Sequence, residues 1–113
     1  MKRLNKFSAK KTVVDGVAFD SKAEAARWSA LRLMQRGGLI SGLERQVRFD
    51  LAINGVKLGF YKADFVYRDQ AGAQVVEDVK GVRTPVYALK AKLMRAIHGI
   101  AIAEYPPKRG RGK

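Results

Sequence analysis

Cysteine is absent from this 113-residue chain, and histidine occurs once. Disulfides and thiolate metal sites are therefore excluded, and any metal must be held by oxygen or by that one imidazole. A chain without cysteine fits a reducing compartment, so a cytoplasmic setting is expected. Long apolar runs are also missing. Nothing reaches the roughly 18 residues that a membrane-spanning helix needs, and no apolar segment follows the basic opening MKRLNKFSAKK, so neither a span nor a secretory signal is expected. Acids are scarce as well, with 10 Asp+Glu against 23 Lys+Arg, a net charge of +13 and a pI near 10.4. Such an imbalance is self-repelling unless the partner is anionic, and nucleic acid is the first candidate. An anionic membrane surface is disfavoured, because no helix joins a basic face to a large aromatic one.

What is present suffices for one domain. A hydrophobic fraction of 47% argues against wholesale disorder. Residues 1–11 read as a flexible basic arm, 12–105 as a single domain, and 106–113 as a basic, glycine-rich disordered tail. In TVVDGVAF (12–19), Asp15-Gly16 marks a hairpin turn. DSKAEAARWSALRLMQRGG reads as a helix capped by Asp20 or Ser21 and stopped at Gly37-Gly38. Residues 44–53 alternate as a strand, Asn54-Gly55 turns the chain, and 56–68 and 73–80 supply two more strands. Thr84-Pro85 opens a second helix that runs to His98-Gly99, and 100–105 is a short apolar strand. The expected fold is α/β, a mixed β-sheet sandwiched by helices with core order α-β-β-β-α-β.

Within this basic chain, VVEDVKG (75–81) sets Glu77 and Asp78 side by side in a strand. Alternation puts Val76, Asp78 and Lys80 on one face and Glu77 on the other, with Asp78 and Lys80 about 7 Å apart along the backbone. If Gln70-Ala71-Gly72 forms a three-residue loop, Asp64 lies across from Asp78 and Lys62 across from Lys80. Two aspartates facing at about 5 Å repel unless a cation sits between them. A four-residue loop would separate the pair, and an ordinary salt-bridged strand face would show the same residues. Glu24 reads first as the fourth residue of a capping box with Ser21. Its spacing to Trp28 and Leu31 also aligns it with the core-facing stripe, which would aim it at the sheet.

FDSKAEAARW, ADFVY and VVEDVKG, in that order, resemble the PD-(D/E)XK nuclease superfamily, above all its small phage-encoded members whose first helix follows F-x-S-K-x-E-A. The resemblance spans residues 12–105 and implies a restriction-endonuclease-like fold and a Mg²⁺-dependent endodeoxyribonuclease, with Mn²⁺ as a substitute. It assigns Glu24, Asp64, Asp78 and Lys80 as catalytic, the three acids as metal ligands, and Gln46 as an auxiliary polar group. Ala63 stands where the signature has proline, a position that holds no ligand. Carboxylate oxygens suit Mg²⁺, which neutralises charge at phosphorus and activates bound water, while Lys80 can stabilise the transition state.

The expectation is phosphodiester hydrolysis of phage or prophage DNA, directed by structure at branched or junction DNA, with a homodimer if two symmetric cuts are made. Its rival is a catalytically inert nucleic-acid-binding protein with the same fold. Arg83, Tyr87, Lys90, Lys92 and Arg95 are candidates for the phosphate path, although a solvated helix face has the same composition. Glu77 is expected to be solvated or salt-bridged on the opposite face, and His98 to serve as a helix C-terminal dipole partner.

Overall fold

The computed structural model describes residues 12–80 and 83–107. The expected arm at 1–11 and all but the first two residues of the expected tail lie outside the described residues, as do Gly81 and Val82. A small hairpin comes first, β1 (Thr12–Val14) and β2 (Val17–Phe19), turned at Asp15 and Gly16 with φ of 52° and 78°. Helix α1 (Lys22–Arg36) follows. Ser21 Oγ caps it by accepting the Glu24 N–H at 3.1 Å, and Gly37 closes it.

Strands β3 (Ser41–Ile53) and β4 (Val56–Arg68) form a long hairpin, and β5 (Gln74–Val79) pairs antiparallel with β4. Helix α2 (Pro85–Leu93) is capped by Thr84 and runs into a π-helical segment, Met94–His98. The last strand, β6 (Ala103–Tyr105), lies parallel to β5 and completes a four-stranded mixed sheet of order β3-β4-β5-β6.

Two strands depart from the sequence expectation at their starts. β3 begins at Ser41 rather than Glu44, because β4 is long enough to pair Ser41 with Arg68 across an irregularity next to Gly42, whose φ is 64°. β6 begins at Ala103 rather than Ile100. Ile100 and Ile102 instead pack against the apolar cluster beside α2, before the chain reaches the edge of β5.

The sheet is buried on both sides. Leu31 of α1 joins Phe65 and Tyr67, with Val75 against them. Tyr87 and Met94 join Tyr61, Ala63, Val66 and Val76. The neighbours Val75 and Val76 thus belong to opposite layers, as pleating demands. One detail of β4 breaks that rule. Tyr61 and Ala63 belong to the α2 layer but Phe65 and Tyr67 to the α1 layer, although alternation would keep all four together. The change-over falls at Asp64. Gln46, on β3 between the partners of Ala63 and Phe65, has φ of 57°. A left-handed residue there twists the hairpin and turns its two halves towards different faces.

Candidate active site

The three-residue loop decides the position of the acids. Asp69 N–H donates to Ala73 O at 2.9 Å around Gln70-Ala71-Gly72, and Gly72 takes the left-handed conformation with φ of 83°. The resulting register pairs Phe65 with Glu77, and its next step sets Asp64 opposite Asp78. At that step the ladder stops. The Val79 N–H donates to Asp64 Oδ2 at 2.8 Å in place of a backbone carbonyl, and β5 leaves β4 for β6.

A cleft of about 460 Å³ opens where the strands part. Glu24, Asp64, Asp78 and Lys80 all line it, with the two helix caps, Ser21 and Thr84, at its rim. Glu77 lies outside this lining and pairs with Arg27 of α1, Nε to Oε2 at 2.6 Å and a second nitrogen to Oε1 at 3.0 Å. The Tyr67 hydroxyl donates to the same carboxylate at 2.7 Å. Glu77 is therefore salt-bridged, one of the two alternatives expected from the sequence, but it is buried rather than solvated. Burial and the Glu77 carboxylate together push the Tyr67 hydroxyl up to about 12.

Inside the cleft, Asp78 is 4% exposed and Glu24 is 6% exposed, so neither is an ordinary surface acid. The Tyr61 hydroxyl donates to Asp78 Oδ2 at 2.9 Å, and Lys80 Nζ stands 3.4 Å from the same oxygen. Gln46 Nε2 donates to Glu24 Oε2 at 3.1 Å. The carboxylate of Glu24 is thus held from β3, while the Ser21 half of the capping box is intact. Burial raises the Glu24 carboxyl, and the charges of Asp20 and Asp78 add to the rise. Burial likewise pushes Asp64 up to about 8, reinforced by a hydrogen bond shared with Asp78 and opposed by the Val79 N–H. Asp64 is therefore held in its protonated form at neutral pH.

Two hard carboxylate donors facing each other across one cleft fit a small divalent cation, which relieves their mutual repulsion. Asp64 and Asp78 are the residues that would hold it. Among the described residues no group of three or more His, Asp or Glu side chains is drawn together as a ligand set. Glu24 lines the cleft and acts on both aspartates through its charge, while its Oε2 is bound to Gln46.

The candidate DNA contacts divide. Tyr87 and Lys90 line this cleft, whereas Arg83, Lys92 and Arg95 line a second one of about 300 Å³, with Tyr87 as the shared wall. Tyr61 is a cleft residue that the sequence pattern does not single out. Its hydroxyl reaches Asp78 only because the hairpin changes faces between Ala63 and Phe65, and no spacing rule signals that change. The facing of Asp64 and Asp78 is legible from alternation once the three-residue loop is chosen.

The model of one protein family, described as a protein of unknown function (DUF1064), matches residues 4–103. The chain belongs to the DUF1064 family. No curated protein and no solved structure matches it. The family description names no activity, so a functional reading of this DUF1064 chain depends on the cleft. Among its described residues no helix is long and apolar enough to cross a membrane.

Proposed function

We propose that this chain is a metal-dependent DNA endonuclease of restriction-endonuclease-like architecture that hydrolyses phosphodiester bonds in phage or prophage DNA in the bacterial cytoplasm. One observation carries the reading: Glu24, Asp64 and the Asp78–Lys80 pair, from three separate segments, line a single cleft in a chain of net charge +13. The three sequence stretches that resemble PD-(D/E)XK nucleases supply these same four residues.

Bound Mg²⁺ or Mn²⁺ would neutralise charge at the phosphate and make its water acidic. The side chains do the rest. Asp64 is held by the Val79 N–H and Asp78 by the Tyr61 hydroxyl, so both carboxylates are fixed in the cleft lining. Lys80 Nζ lies over the Tyr87 ring at 4.2 Å, which holds an ammonium beside the carboxylates, where charge develops on phosphate oxygens. The surrounding positive field draws in the polyanion. A domain this small has little surface for reading bases, which favours branched or junction DNA as substrate; paired cuts would need two copies of the chain.

The test is cleavage of linear, nicked and four-way-junction DNA with Mg²⁺, with Mn²⁺ or with chelator. Metal-dependent cutting is expected. Asp78→Asn should abolish it by removing a ligand charge, and Lys80→Ala should slow it by on the order of a hundredfold. DNA binding should survive both changes. If every DNA form stays intact across a range of both metals, the chain is an inert nucleic-acid binder and the nuclease reading fails.

A further inference from the structure

Beside the carboxylates the cleft carries an unusual wall. Phe60, 37% exposed, lies on the part of β4 that β5 has already left, and its ring has two cations over it: the Arg48 guanidinium at 4.0 Å and Lys90 Nζ at 5.2 Å. Further along, the Tyr87 ring has two more, Lys80 Nζ at 4.2 Å and the Arg83 guanidinium at 5.4 Å. Phe60, Lys80, Tyr87 and Lys90 all line the acid-bearing cleft. Two aromatic rings thus hold four cations, contributed by β3, the connection from β5 to α2, and α2 itself.

We propose that these ring-held cations form a preordered rail for a nucleic-acid backbone, with Phe60 as a positioning residue and Arg48 and Lys90 as phosphate-binding residues on its ring beside the acid-bearing cleft. The identity of the polyanion rests on the nuclease reading; the rail itself rests on the ring contacts. Like charges set side by side repel, and the nearby acids only partly offset this. Arg48 Nε lies 3.4 Å from Asp50, which also has Lys57 at 3.7 Å. Arg83 lies 3.4 Å from Glu104, which also accepts the Tyr87 hydroxyl. A cation resting on a ring has given up much of its side-chain freedom before any ligand arrives, so each phosphate contact costs less ordering. Cations spread along a wall match a chain of phosphates better than one small anion, which calls for convergent donors.

The experiment is anisotropy titration of a short fluorescein-labelled duplex in chelator over a salt series, so that binding is read without cleavage. Phe60→Ala changes no charge, yet it should weaken binding several-fold and lower the salt slope by about one unit or more, as Arg48 and Lys90 lose their seat. Phe60→Trp should restore both. Lys57→Gln removes a nearby charge that rests on no ring among the described residues and should change the slope less than Phe60→Ala does. An unchanged slope in Phe60→Ala together with a lowered one in Lys57→Gln overturns the rail in favour of diffuse charge. Far-UV circular dichroism checks that Phe60→Ala folds; if it does not, Arg48→Gln with Lys90→Gln must lower the slope by about two units, or the rail is wrong. An unmodified protein that binds no DNA overturns both proposals, whereas the expected slope changes without metal-dependent cutting overturn the nuclease reading alone.

Discussion

Asp64 is the residue on which the cleft turns, because its carboxyl holds a proton to about 8 when its ordinary value is 3.8. In chelator this has a definite consequence. Between those two values the unfolded chain has released the proton that the folded chain keeps, so unfolding is increasingly favoured as pH rises. The stabilising contribution is complete below about pH 4 and gone above about pH 8. Asp64→Asn, which never ionises, should lack this decline and should melt higher than the unmodified protein near neutral pH, while abolishing any metal-dependent activity. Melting temperatures from pH 4 to 8 in chelator check it; parallel profiles for the two proteins would show that Asp64 does not keep its proton in the folded chain. Glu77 shows the contrasting outcome for an acid on the neighbouring strand. With Arg27 and Tyr67 on its carboxylate it is a structural buried ion pair, facing away from the chemistry.

Among the elements, the β3–β4 hairpin contributes Gln46 and Asp64 at the point where it changes faces. Gln46 has two jobs there that can be separated. Its backbone sits at φ of 57°, which glycine adopts without strain, and its side chain holds Glu24. Gln46→Ala should remove the hydrogen bond to Glu24 and keep the strain, whereas Gln46→Gly removes that bond and relieves the strain. The glycine variant should therefore be more stable than the alanine variant by about 1 kcal/mol in urea unfolding, although neither can hold Glu24. Equal stabilities would mean that the left-handed residue is not what turns the hairpin. The Asn54-Gly55 turn, with φ of 53° and 78°, is legible in the sequence because this dipeptide suits a two-residue hairpin loop. The turn at Gln46 is not, since glutamine carries no such preference.

For the whole molecule, charge is the dominant property. Of the 23 lysines and arginines, five lie in residues 1–11 and four in 108–113. Removing both segments should lower the salt slope of DNA binding by about one unit for each phosphate these residues neutralise, and should leave the melting temperature of the remaining chain nearly unchanged. Binding across a salt series and a melting curve, on full-length and trimmed protein, measure both. A large fall in melting temperature would show that these segments belong to the core.

Elements are settled by signals that can be read along the chain. Capping at Ser21 and Thr84 and turn dipeptides are such signals, whereas the loop at Gly72 allows two registers, and the folded hairpin selects the one that sets Asp64 opposite Asp78. Caps and turns depend on residues a few positions apart, where backbone preference and short hydrogen bonds decide the outcome. The environment of each acid is a matter of packing between distant segments. Nothing local distinguishes Glu77, buried on Arg27, from Asp78, buried beside Lys80 and Tyr61, except which face each meets and what is packed there. The change of face at Asp64, the parting of β5 from β4, and the cations held on Phe60 and Tyr87 all arise in the same way. Burial, which governs the charge of a carboxylate, is set by what covers it, and only the folded chain supplies the cover.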